Sequence, residues 1–349
     1  MTYHRTAIAL ALSLLVPLPA IAAGGGAAAY LKKPDAWFAS ADGKRIAANI
    51  LSYQSDLGGW PKNTDTVDAP YTGDRNELHP TFDNSATTDE LRFIARCYNA
   101  SKDETDLKAF SKGLAYILKA QYPTGGWPQY YPPSKQYHRY ITFNDGAMVR
   151  LLEFLREVNR TDTYNFVPAA DRKAAGETFE KGIACILKCQ IKVDGKPTVW
   201  CAQHDEIDYS PRPARAFELA SFSGSESVGI VRLLMSLDHP SPEVIAAVDG
   251  AVAWFESAKI TGIRLERIPD PKSEKGTNLV VVPDPTAPPQ WARFYDLKTQ
   301  KPFFCDRDGI PKPTIAEIGY ERRNGYAWYG NWPQDLLEKE YPAWKKRVK

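Results

Sequence analysis

The sequence predicts an all-α protein that folds as an incomplete (α/α) toroid of about three helix-pair repeats, with long loops and short β segments. Three observations favour this fold class. A Gly-Gly-Trp-Pro motif ends at Pro61 and recurs at Pro128, and a degenerate third copy ends at Trp200. A helix-like apolar pattern precedes each copy, and long polar loops follow. The period alone leaves a solenoid open beside the toroid.

The N-terminus carries the pattern of a signal peptide. A basic start reaches Arg5, an apolar run extends from Ala7 to Val16, and small residues at 20–22 form a cleavage site. The run is shorter than the roughly 20 apolar residues that a membrane span needs. We therefore expect residues 1–22 to be removed and residues 23–349 to form a single domain. The mature protein is expected to be secreted or periplasmic, without a membrane segment.

The mature chain shows helical apolar spacing in about seven segments. Caps, glycines, prolines or loops bound them. These segments cover 37–55, 84–98, 105–120, 145–158, 171–190, 225–237 and 242–257. After Lys259 the helical pattern ends, and Asn278 to Val282 predict a strand. The rest of the tail is rich in Pro, Asp and aromatic residues, and we expect it to wrap around the helical body.

Composition narrows the class of partner. The formal net charge is +2, and this near-balance argues against nucleic acid, because phosphate binding usually shows as a basic excess. A local basic cleft stays possible.

Of five cysteines, Cys185 and Cys189 have helical i,i+4 spacing but no histidine at ligand spacing, so buried thiols or one disulfide are favoured over zinc. We expect a monomer.

Two near-identical polar blocks follow the first two Trp loops: Thr81-Phe82-Asp83-Asn84 and Thr142-Phe143-Asn144-Asp145. Each places an acid and an amide at the start of a helix, where Asp and Asn are favoured N-caps. If the two helices are neighbours, Asp83 and Asp145 open onto one face, and paired carboxylates suit Ca²⁺. Both a capping role and a calcium site stay open, because a capping Asp has a second oxygen free.

Loop-like segments of the second half of the chain hold a set of arginines: Arg212, Arg215, Arg293, Arg307, Arg322 and Arg323. Loop arginines are usually solvated or paired structurally. If several converged on a groove that also binds calcium, they would form a site for a polyanion whose carboxylates need bidentate recognition. Lys62, in the first Trp loop, would add another positive charge.

Six ordered blocks together are far more specific than any one of them. They are Gly58 to Asn63, Thr81 to Asn84, Gln121 to Tyr131, Ile141 to Met148, Pro211 to Glu218 and Ser223 to Val228. In these blocks the chain resembles polysaccharide lyase family 10, a family of pectate lyases. The resemblance runs from about Trp37 to Trp332, which is nearly the whole mature chain.

The resemblance implies a secreted pectate lyase, with one toroid-like catalytic domain over 23–349. Such an enzyme cleaves α-1,4-polygalacturonate, or oligogalacturonates, by calcium-dependent β-elimination and releases 4,5-unsaturated products. On the family pattern, Asp83 and Asp145 match the acids assigned to Ca²⁺, and Arg215 matches the base that takes the C5 proton. The substrate contacts implied by the same pattern are the carboxylate clamps Arg293 and Arg307, with Lys62, Asn63, Asn84 and Asn144 beside the sugars.

An arginine base conflicts with the usual protonation of a guanidinium, although an alkaline working pH reduces the conflict. Arg212 lies close to Arg215 in sequence and stays open as the base. Two other functions also stay open. A glycoside hydrolase could use Asp83 and Asp145 as acid and base, and a non-catalytic module could use calcium and arginine only to hold pectin. Loop arginines and an unsaturated product would distinguish the lyase.

Four aromatic side chains outside the predicted chemistry carry structural expectations. We expect His204 to be a hydrogen-bonding groove residue and His138 to lie at the surface. Trp60 and Trp127 are expected to pin their loops to the helical body rather than to stack on sugars.

Overall fold

Helical hairpins form the body of the molecule. The computed structural model describes residues 26–348, so the predicted signal peptide and its cleavage site lie outside the described residues. The α-helices of this part of the chain are α1 (Ala41–Ser52), α2 (Thr88–Ser101), α3 (Glu104–Ala120), α4 (Ala147–Arg160), α5 (Ala169–Cys189), α6 (Glu226–Met235), α7 (Pro242–Ser257), α8 (Tyr320–Gly325) and α9 (Tyr341–Arg347). Each of the long helices has one apolar face that must be buried against a neighbour.

Three of these hairpins match the three predicted helix pairs. Helix α2 packs on α3, α4 on α5, and α6 on α7. The first members contact one another in the order α2, α4, α6, and the second members in the order α3, α5, α7, while α1 packs against both α2 and α3. The result is two layers of helices. The predicted class, mainly helical with short strands, is confirmed.

The strands are short except for one hairpin. They are β1 (Ile141–Thr142), β2 (Lys192–Val193), β3 (Lys196–Pro197), β4 (Gln203–His204), β5 (Pro211–Arg212), β6 (Ser221–Ser223), β7 (Ile263–Pro269), β8 (Thr277–Pro283), β9 (Trp291–Ala292), β10 (Phe294–Asp296), β11 (Phe304–Cys305), β12 (Pro311–Lys312) and β13 (Tyr329–Gly330). The predicted strand at 278–282 lies inside β8, which pairs antiparallel with β7. The others are too short to show a two-residue period.

The C-terminal tail returns to the helical body through two of these short strands. Strand β10 pairs antiparallel with β6, with Phe294 opposite Ser223, directly before α6 begins. Strand β13 pairs with β9, with Tyr329 opposite Ala292. A small second core around Phe217, Phe294 and Trp328 fills the space under the tail. The tail therefore brings its arginines to the end of the body from which α6 starts.

The Trp loops are pinned by the same hydrogen bond in every copy. The indole N–H donates to a carbonyl near the end of the preceding helix: Trp60 to Ile50 at 2.7 Å, Trp127 to Ile117 at 3.0 Å, Trp200 to Ile186 at 2.7 Å and Trp291 to Phe255 at 2.8 Å. All four rings are fully buried. The expected role of Trp60 and Trp127 is confirmed. The copy at Trp291 was missed because it lacks the Gly-Gly-Trp signature.

A glutamine at the end of each hairpin unit ties one repeat to the next. Gln54, Gln121 and Gln190 follow α1, α3 and α5, and each donates both to a carbonyl of its own loop and to a carbonyl of a neighbouring helix, namely Ala109 in α3, Thr178 in α5 and Ala247 in α7. A buried amide that satisfies two carbonyls fixes the loop relative to the neighbouring helix. The loops are thereby held in the same orientation from repeat to repeat.

The first glycine of the Trp loop is required by the backbone. Gly58 has φ of 114°, and a Cβ there would lie 2.6 Å from the carbonyl oxygen of Lys112. Gly125 has φ of 97° and faces the carbonyl of Lys181 in the same way. Only glycine accepts both the positive φ and the close approach to the next helix.

All five cysteines are buried free thiols, which agrees with the expectation of buried thiols. The closest pair is Cys185 and Cys189, with 4.0 Å between the sulfurs. Within residues 26–348, no helix is both long and apolar enough to cross a membrane.

Helix α2 begins with a buried capping box. The backbone N–H of Thr87 donates to Glu90 Oε2 at 2.8 Å, and the Thr87 side chain caps the helix in return. Burial raises the pKa of Glu90 to about 7, from an ordinary value of 4.5. Because the folded chain binds this proton more tightly than the unfolded chain, the Glu90 contribution lowers the free energy of unfolding as pH rises between these two values.

Glu90→Gln should remove that pH dependence while keeping an acceptor for the Thr87 N–H. We expect the free energy of unfolding of the variant, relative to wild type, to increase by roughly 1–3 kcal/mol between pH 4 and pH 8. Urea unfolding across this range measures it, with Glu104→Gln as the control because Glu104 is an exposed acid in the first turn of α3. A difference between Glu90→Gln and wild type that stays constant with pH would contradict the expectation.

Candidate active site

Two short 3-10 turns place the predicted acids at the starts of α2 and α4. The turns Asp83–Ser85 and Asn144–Gly146 contact each other. Each contains two residues with positive φ: Asn84 at 53° and Ser85 at 64° in the first turn, and Asp145 at 50° and Gly146 at 72° in the second. Non-glycine residues adopt this conformation at a cost, and such strain is concentrated at functional sites. The chain turns sharply here before either helix starts.

The capping interpretation of the two acids is wrong. Helix α2 is capped by Thr87 and helix α4 starts after Gly146, and neither Asp83 nor Asp145 accepts a bond from a helix amide through its side chain. The reason is the pair of left-handed residues within each turn, which delays the helix by several positions. The two carboxylates are therefore free for another role.

Asp83 is buried, with 2% of the residue exposed. One oxygen of its carboxylate has hydrogen-bond partners and the other has none within residues 26–348. Oδ2 accepts from the Lys62 ammonium and from Gln129 Nε2, the latter at 2.6 Å. Oδ1 is buried and has no hydrogen-bond partner within the described part of the chain. An unpaired buried carboxylate oxygen is costly unless a further partner binds it.

The two partners of Asp83 come from equivalent positions of the repeat. Lys62 follows the first Gly-Gly-Trp-Pro motif and Gln129 follows the second. Burial lowers the pKa of Lys62, but the contact with Asp83 outweighs burial and the net shift of its pKa is upward. Lys62 is therefore a cation, and its ammonium also lies 5.8 Å from the centre of the Tyr130 ring.

Asp145 lies beside this pair and opens to solvent. Its Oδ2 accepts from Asn144 Nδ2 at 2.8 Å. Desolvation by the surrounding protein raises the pKa of Asp145, the nearby Asp83 raises it further, and Arg293 opposes both. Repulsion between two carboxylates is the condition that a bound cation relieves.

The donor set fits calcium. No group of three or more His, Cys, Asp and Glu side chains suited to a metal occurs within residues 26–348. In place of such a group, the protein offers the carboxylates of Asp83 and Asp145, of which Asp83 Oδ1 has no hydrogen-bond partner in the described residues. The side-chain amides of Asn63, Asn84 and Asn144 lie beside them. Ca²⁺ takes 6–8 oxygen ligands in flexible geometry, so this site would need oxygens from a ligand to complete its shell.

Across from the acids, four arginines surround two aromatic rings. We call this set the arginine cluster; it comprises Arg215, Arg293, Arg307 and Arg322. The distances from the guanidinium carbon to the centre of the Phe217 ring are 4.8 Å for Arg215, 4.5 Å for Arg322 and 5.9 Å for Arg307. The corresponding distances to the centre of the Tyr326 ring are 5.9 Å for Arg215, 5.2 Å for Arg293 and 5.8 Å for Arg322. Aromatic faces hold guanidinium groups close together by cation–π attraction.

A glutamate neutralises each member of the arginine cluster. Arg215 donates to Glu218 through Nε at 2.7 Å and Nη2 at 2.5 Å, and the Tyr326 hydroxyl donates to the same carboxylate at 2.7 Å. The hydrogen bonds that Arg215 donates to the Glu218 carboxylate raise the pKa of Arg215. Burial raises the pKa of Glu218, but the bonds from Arg215 outweigh burial and the pKa is lowered. Glu218 is therefore ionised.

The other members are paired similarly. Arg293 donates to Glu226 at 2.9 Å, and burial raises the pKa of Glu226 to about 7. Glu321 accepts from both Arg307, at 3.2 Å, and Arg322. Arg307 is the most exposed of the four, at 65% of its side chain, and lies at the edge of the cluster. The arginines are thus held by carboxylates until a stronger anion competes.

Arg212 lies outside the arginine cluster. Its Nε donates to Asp205 at 2.9 Å from strand β5, and its guanidinium lies 5.8 Å from the Tyr140 ring. Arg215 stands beside Phe217 and Tyr326 instead. Two arginines that are close in sequence therefore belong to different sites, and of these two it is Arg215 that shares an aromatic ring with Arg293.

The expectation that His204 forms hydrogen bonds is confirmed, but the side chain is buried and does not line a groove; His138 is partly exposed, as expected for a residue at the surface. His204 is fully buried; its Nε2 accepts from the Cys201 amide at 3.0 Å and its Nδ1 lies 2.7 Å from the Tyr209 carbonyl oxygen. Burial lowers its pKa to about 4, so it is a neutral structural group outside the groove. His138 is half-buried and packs on Tyr137, with ring centres 3.9 Å apart. Burial and nearby Lys62 lower its pKa.

The structure brings most of the predicted site residues into one region. Asp83, Asp145, Lys62 and the three asparagines lie together, and Arg293, whose charge opposes the upward shift in the pKa of Asp145, lies over the same Tyr326 ring as Arg215. Sequence reasoning missed Gln129, Glu218, Glu226 and Tyr326. Gln129 had a sequence signal, since it holds the repeat position of Lys62, and Glu218 and Glu226 lie inside two of the six ordered blocks, whereas Tyr326 lies in none of them.

Comparisons with known proteins show the family to which the chain belongs. The family described as pectic acid lyase matches the chain over residues 54–337. The chain is similar to the solved structure of a family 10 polysaccharide lyase from Cellvibrio cellulosa, with a TM-score of 0.74 and 35% identity over 91% of this chain and 96% of that one. It is also similar to an aspartate-to-alanine mutant of such a lyase from Cellvibrio cellulosa in complex with trigalacturonic acid, with a TM-score of 0.76 and 35% identity over 90% and 96% of the two chains. No curated protein matches the chain in sequence.

Proposed function

The chain belongs to the pectic acid lyase family and is a pectate lyase of polysaccharide lyase family 10, and from this premise we propose that it cleaves unesterified α-1,4-polygalacturonate by calcium-dependent β-elimination. One observation carries the proposal. The buried Asp83, with its orphan oxygen, lies beside Asp145, and Arg293 joins these acids to the arginine cluster. A cation site next to several guanidiniums suits a substrate with one carboxylate on every sugar.

In the proposed reaction, Arg215 takes the proton from C5 of a galacturonate. The electron pair of the broken C5–H bond forms the C4–C5 double bond, and the C4–O bond breaks. The leaving oxygen takes a proton from solvent. Asp83 and Asp145 would hold calcium, which when bound acidifies the C5 proton and neutralises the charge that builds on the neighbouring carboxylate. Arg293 and Arg307 bind and orient substrate carboxylates, where bidentate guanidinium contacts favour the developing charge.

The sugar contacts are proposed for residues near the acids. Lys62, Asn63, Asn84 and Asn144 lie around Asp83 and Asp145, and the Asn84 amide donates to Asn63 at 3.3 Å. Exposed amides of this kind hydrogen-bond sugar hydroxyls and set the register of the chain in the groove. The complex of the Cellvibrio neighbour with trigalacturonic acid supports an oligogalacturonate as a ligand of this groove.

Arg215 serves as a base only in its neutral form. Because Glu218 raises its pKa, the neutral fraction at neutral pH is very small. The neutral fraction of a group titrating above the assay range grows about tenfold for each pH unit. The proposed mechanism therefore implies an alkaline enzyme whose rate rises with pH, as long as the fold and the substrate persist.

We also propose the setting in which the enzyme works. The signal-peptide pattern supports removal of 1–22 and a secreted or periplasmic enzyme, in which residues 23–349 form one catalytic domain. The successive contacts of α2, α4 and α6, and of α3, α5 and α7, support closure of the two layers into an incomplete (α/α) toroid. One polypeptide supplies all the proposed site residues, which supports a monomer as the working unit.

The reaction is tested by absorbance of the 4,5-unsaturated product from polygalacturonate at alkaline pH. We expect product with calcium and at least a hundredfold less after chelation, because chelation removes the charge that would acidify the C5 proton and neutralise the neighbouring carboxylate. Reducing ends without absorbance would indicate the hydrolase alternative. Binding of polygalacturonate without either signal would indicate a non-catalytic module. Product formation that is indifferent to chelator would keep the lyase and overturn the calcium requirement.

A further inference from the structure

We propose that Lys62 is a resident counter-ion of Asp83 that competes with calcium, so that calcium binds tightly only when a galacturonate carboxylate draws the ammonium away. This inference rests on the proposed function, because it concerns the same acids and the same ligand. It assigns Lys62 a role in the order and coupling of binding, in addition to a contact with sugar.

The competition follows from where the ammonium lies. Lys62 Nζ contacts Asp83 Oδ2 directly, and the carboxylate is 3% exposed while the lysine side chain is 25% exposed. A buried carboxylate requires a partner, and Lys62 supplies it when no metal is bound. A divalent cation on the other oxygen would be a second positive charge on the same carboxylate as this ammonium. The two cations repel each other, and protein around them screens the repulsion less than water does.

The two oxygens of Asp83 are prepared unequally for an exchange of cations. Oδ2 has a second donor, Gln129 Nε2 at 2.6 Å, which keeps the carboxylate oriented when the ammonium leaves. Oδ1 has no partner and so is ready for a ligand. Lys62 reaches Asp83 from the first Trp loop while Gln129 is buried in the second. Of the two partners of Asp83, Lys62 is thus the one that can leave the carboxylate, because it is charged and more exposed than Gln129.

Substrate would reverse the competition. A galacturonate carboxylate beside the acids gives the Lys62 ammonium a new partner, and it also offers calcium the oxygens that the protein lacks. Each ligand then favours the other, and by linkage the factor must be the same in both directions. Free enzyme is consequently kept from binding calcium strongly, while the enzyme with substrate takes it up.

The test measures calcium affinity by isothermal titration calorimetry, with and without trigalacturonate, in an Arg215→Ala background so that the trimer is not consumed. Without trigalacturonate, we expect Lys62→Met to bind calcium roughly ten- to a hundredfold more tightly than the parent, because a near-isosteric side chain removes the competing charge. Lys62→Arg keeps the charge and should match the parent. Trigalacturonate should tighten calcium binding in the parent by more than in Lys62→Met.

Lys173→Met is the matched control. Lys173 lies on α5 with 76% of its side chain exposed, so the change removes the same net charge far from the acids. Calcium affinity of Lys62→Met that equals or falls below that of the parent would overturn the inference and leave the proposed function intact. No calcium binding by any variant, even with trigalacturonate, would instead overturn the calcium site itself. Lys62→Gln repeats the comparison if circular dichroism shows that Lys62→Met is unfolded.

Discussion

Arg215→Ala should lower kcat on polygalacturonate by at least about a thousandfold in a protein that circular dichroism shows to be folded. A general base contributes roughly 10²–10⁴ in rate, and Arg215 would in addition lie against the substrate. The side chain is 47% exposed and sits in a loop, so its removal leaves the two cores intact. Absorbance of the unsaturated product, with calcium at saturation, gives the rate.

Arg212→Ala is the control for this result. Arg212 is paired with Asp205 on strand β5 and does not face the Tyr326 ring, so we expect less than a tenfold loss of kcat. Arg215→Lys should also be strongly impaired, since an ammonium does not reproduce the two bonds to Glu218. If Arg215→Ala keeps most of its activity while Arg212→Ala loses it, the base has been assigned to the wrong arginine.

Asp83→Ala and Asp145→Ala should each weaken calcium binding in the presence of trigalacturonate by at least about a hundredfold. Each removes one of the only two carboxylates proposed to contact the metal, and affinity in oxygen-ligand sites follows the number of charged ligands. Calorimetry gives the affinity. Activity at a fixed calcium concentration should fall in parallel and recover in part when calcium is raised.

Asp162→Ala is the matched control, because Asp162 also lies in a short 3-10 turn, Asp162–Tyr164, but is exposed and has no place in the site. Its calcium affinity should equal that of wild type.

A stability measurement distinguishes the two interpretations of Asp145, a helix cap and a calcium ligand. Loss of a helix cap costs typically about 1 kcal/mol, whereas removal of a carboxylate that Asp83 repels should cost nothing. An Asp145→Ala protein with normal calcium affinity and lowered stability would restore the capping role.

The sequence pattern was sufficient to predict the helix-pair repeats. Apolar spacing gave the helix pairs, and the Gly-Gly-Trp-Pro motif located loops that are held by the same indole hydrogen bond. These features are local or periodic, so a linear sequence displays them. The copy at Trp291 was not predicted because a strand replaces the tight turn of the other copies. Only its hydrogen bond to Phe255 shows that it is equivalent to the other Trp loops.

The partners of the site residues depended on contacts between distant segments. Glu226 meets Arg293, and the Tyr326 hydroxyl meets Glu218, only after the C-terminal tail returns to strand β6. Glu218 and Glu226 lie in ordered sequence blocks, but those blocks do not show which residue each glutamate meets, and Tyr326 lies in no such block. Their importance comes from charge and distance, which exist only once the tail has packed.

The sequence by itself determined a helical repeat protein, the identity of its loops and the family to which it belongs, because apolar period, glycine turns and ordered motifs are properties of neighbouring residues. Tertiary structure alone decided that Asp83 is not a cap, that Arg215 and Arg212 belong to different sites, and that Lys62 and Gln129 share one carboxylate oxygen. The physical reason is that electrostatic interactions act through space and fall off with distance. A carboxylate has the same letter in the sequence whether it caps a helix, pairs with lysine or awaits a metal, and only its packed surroundings distinguish the three.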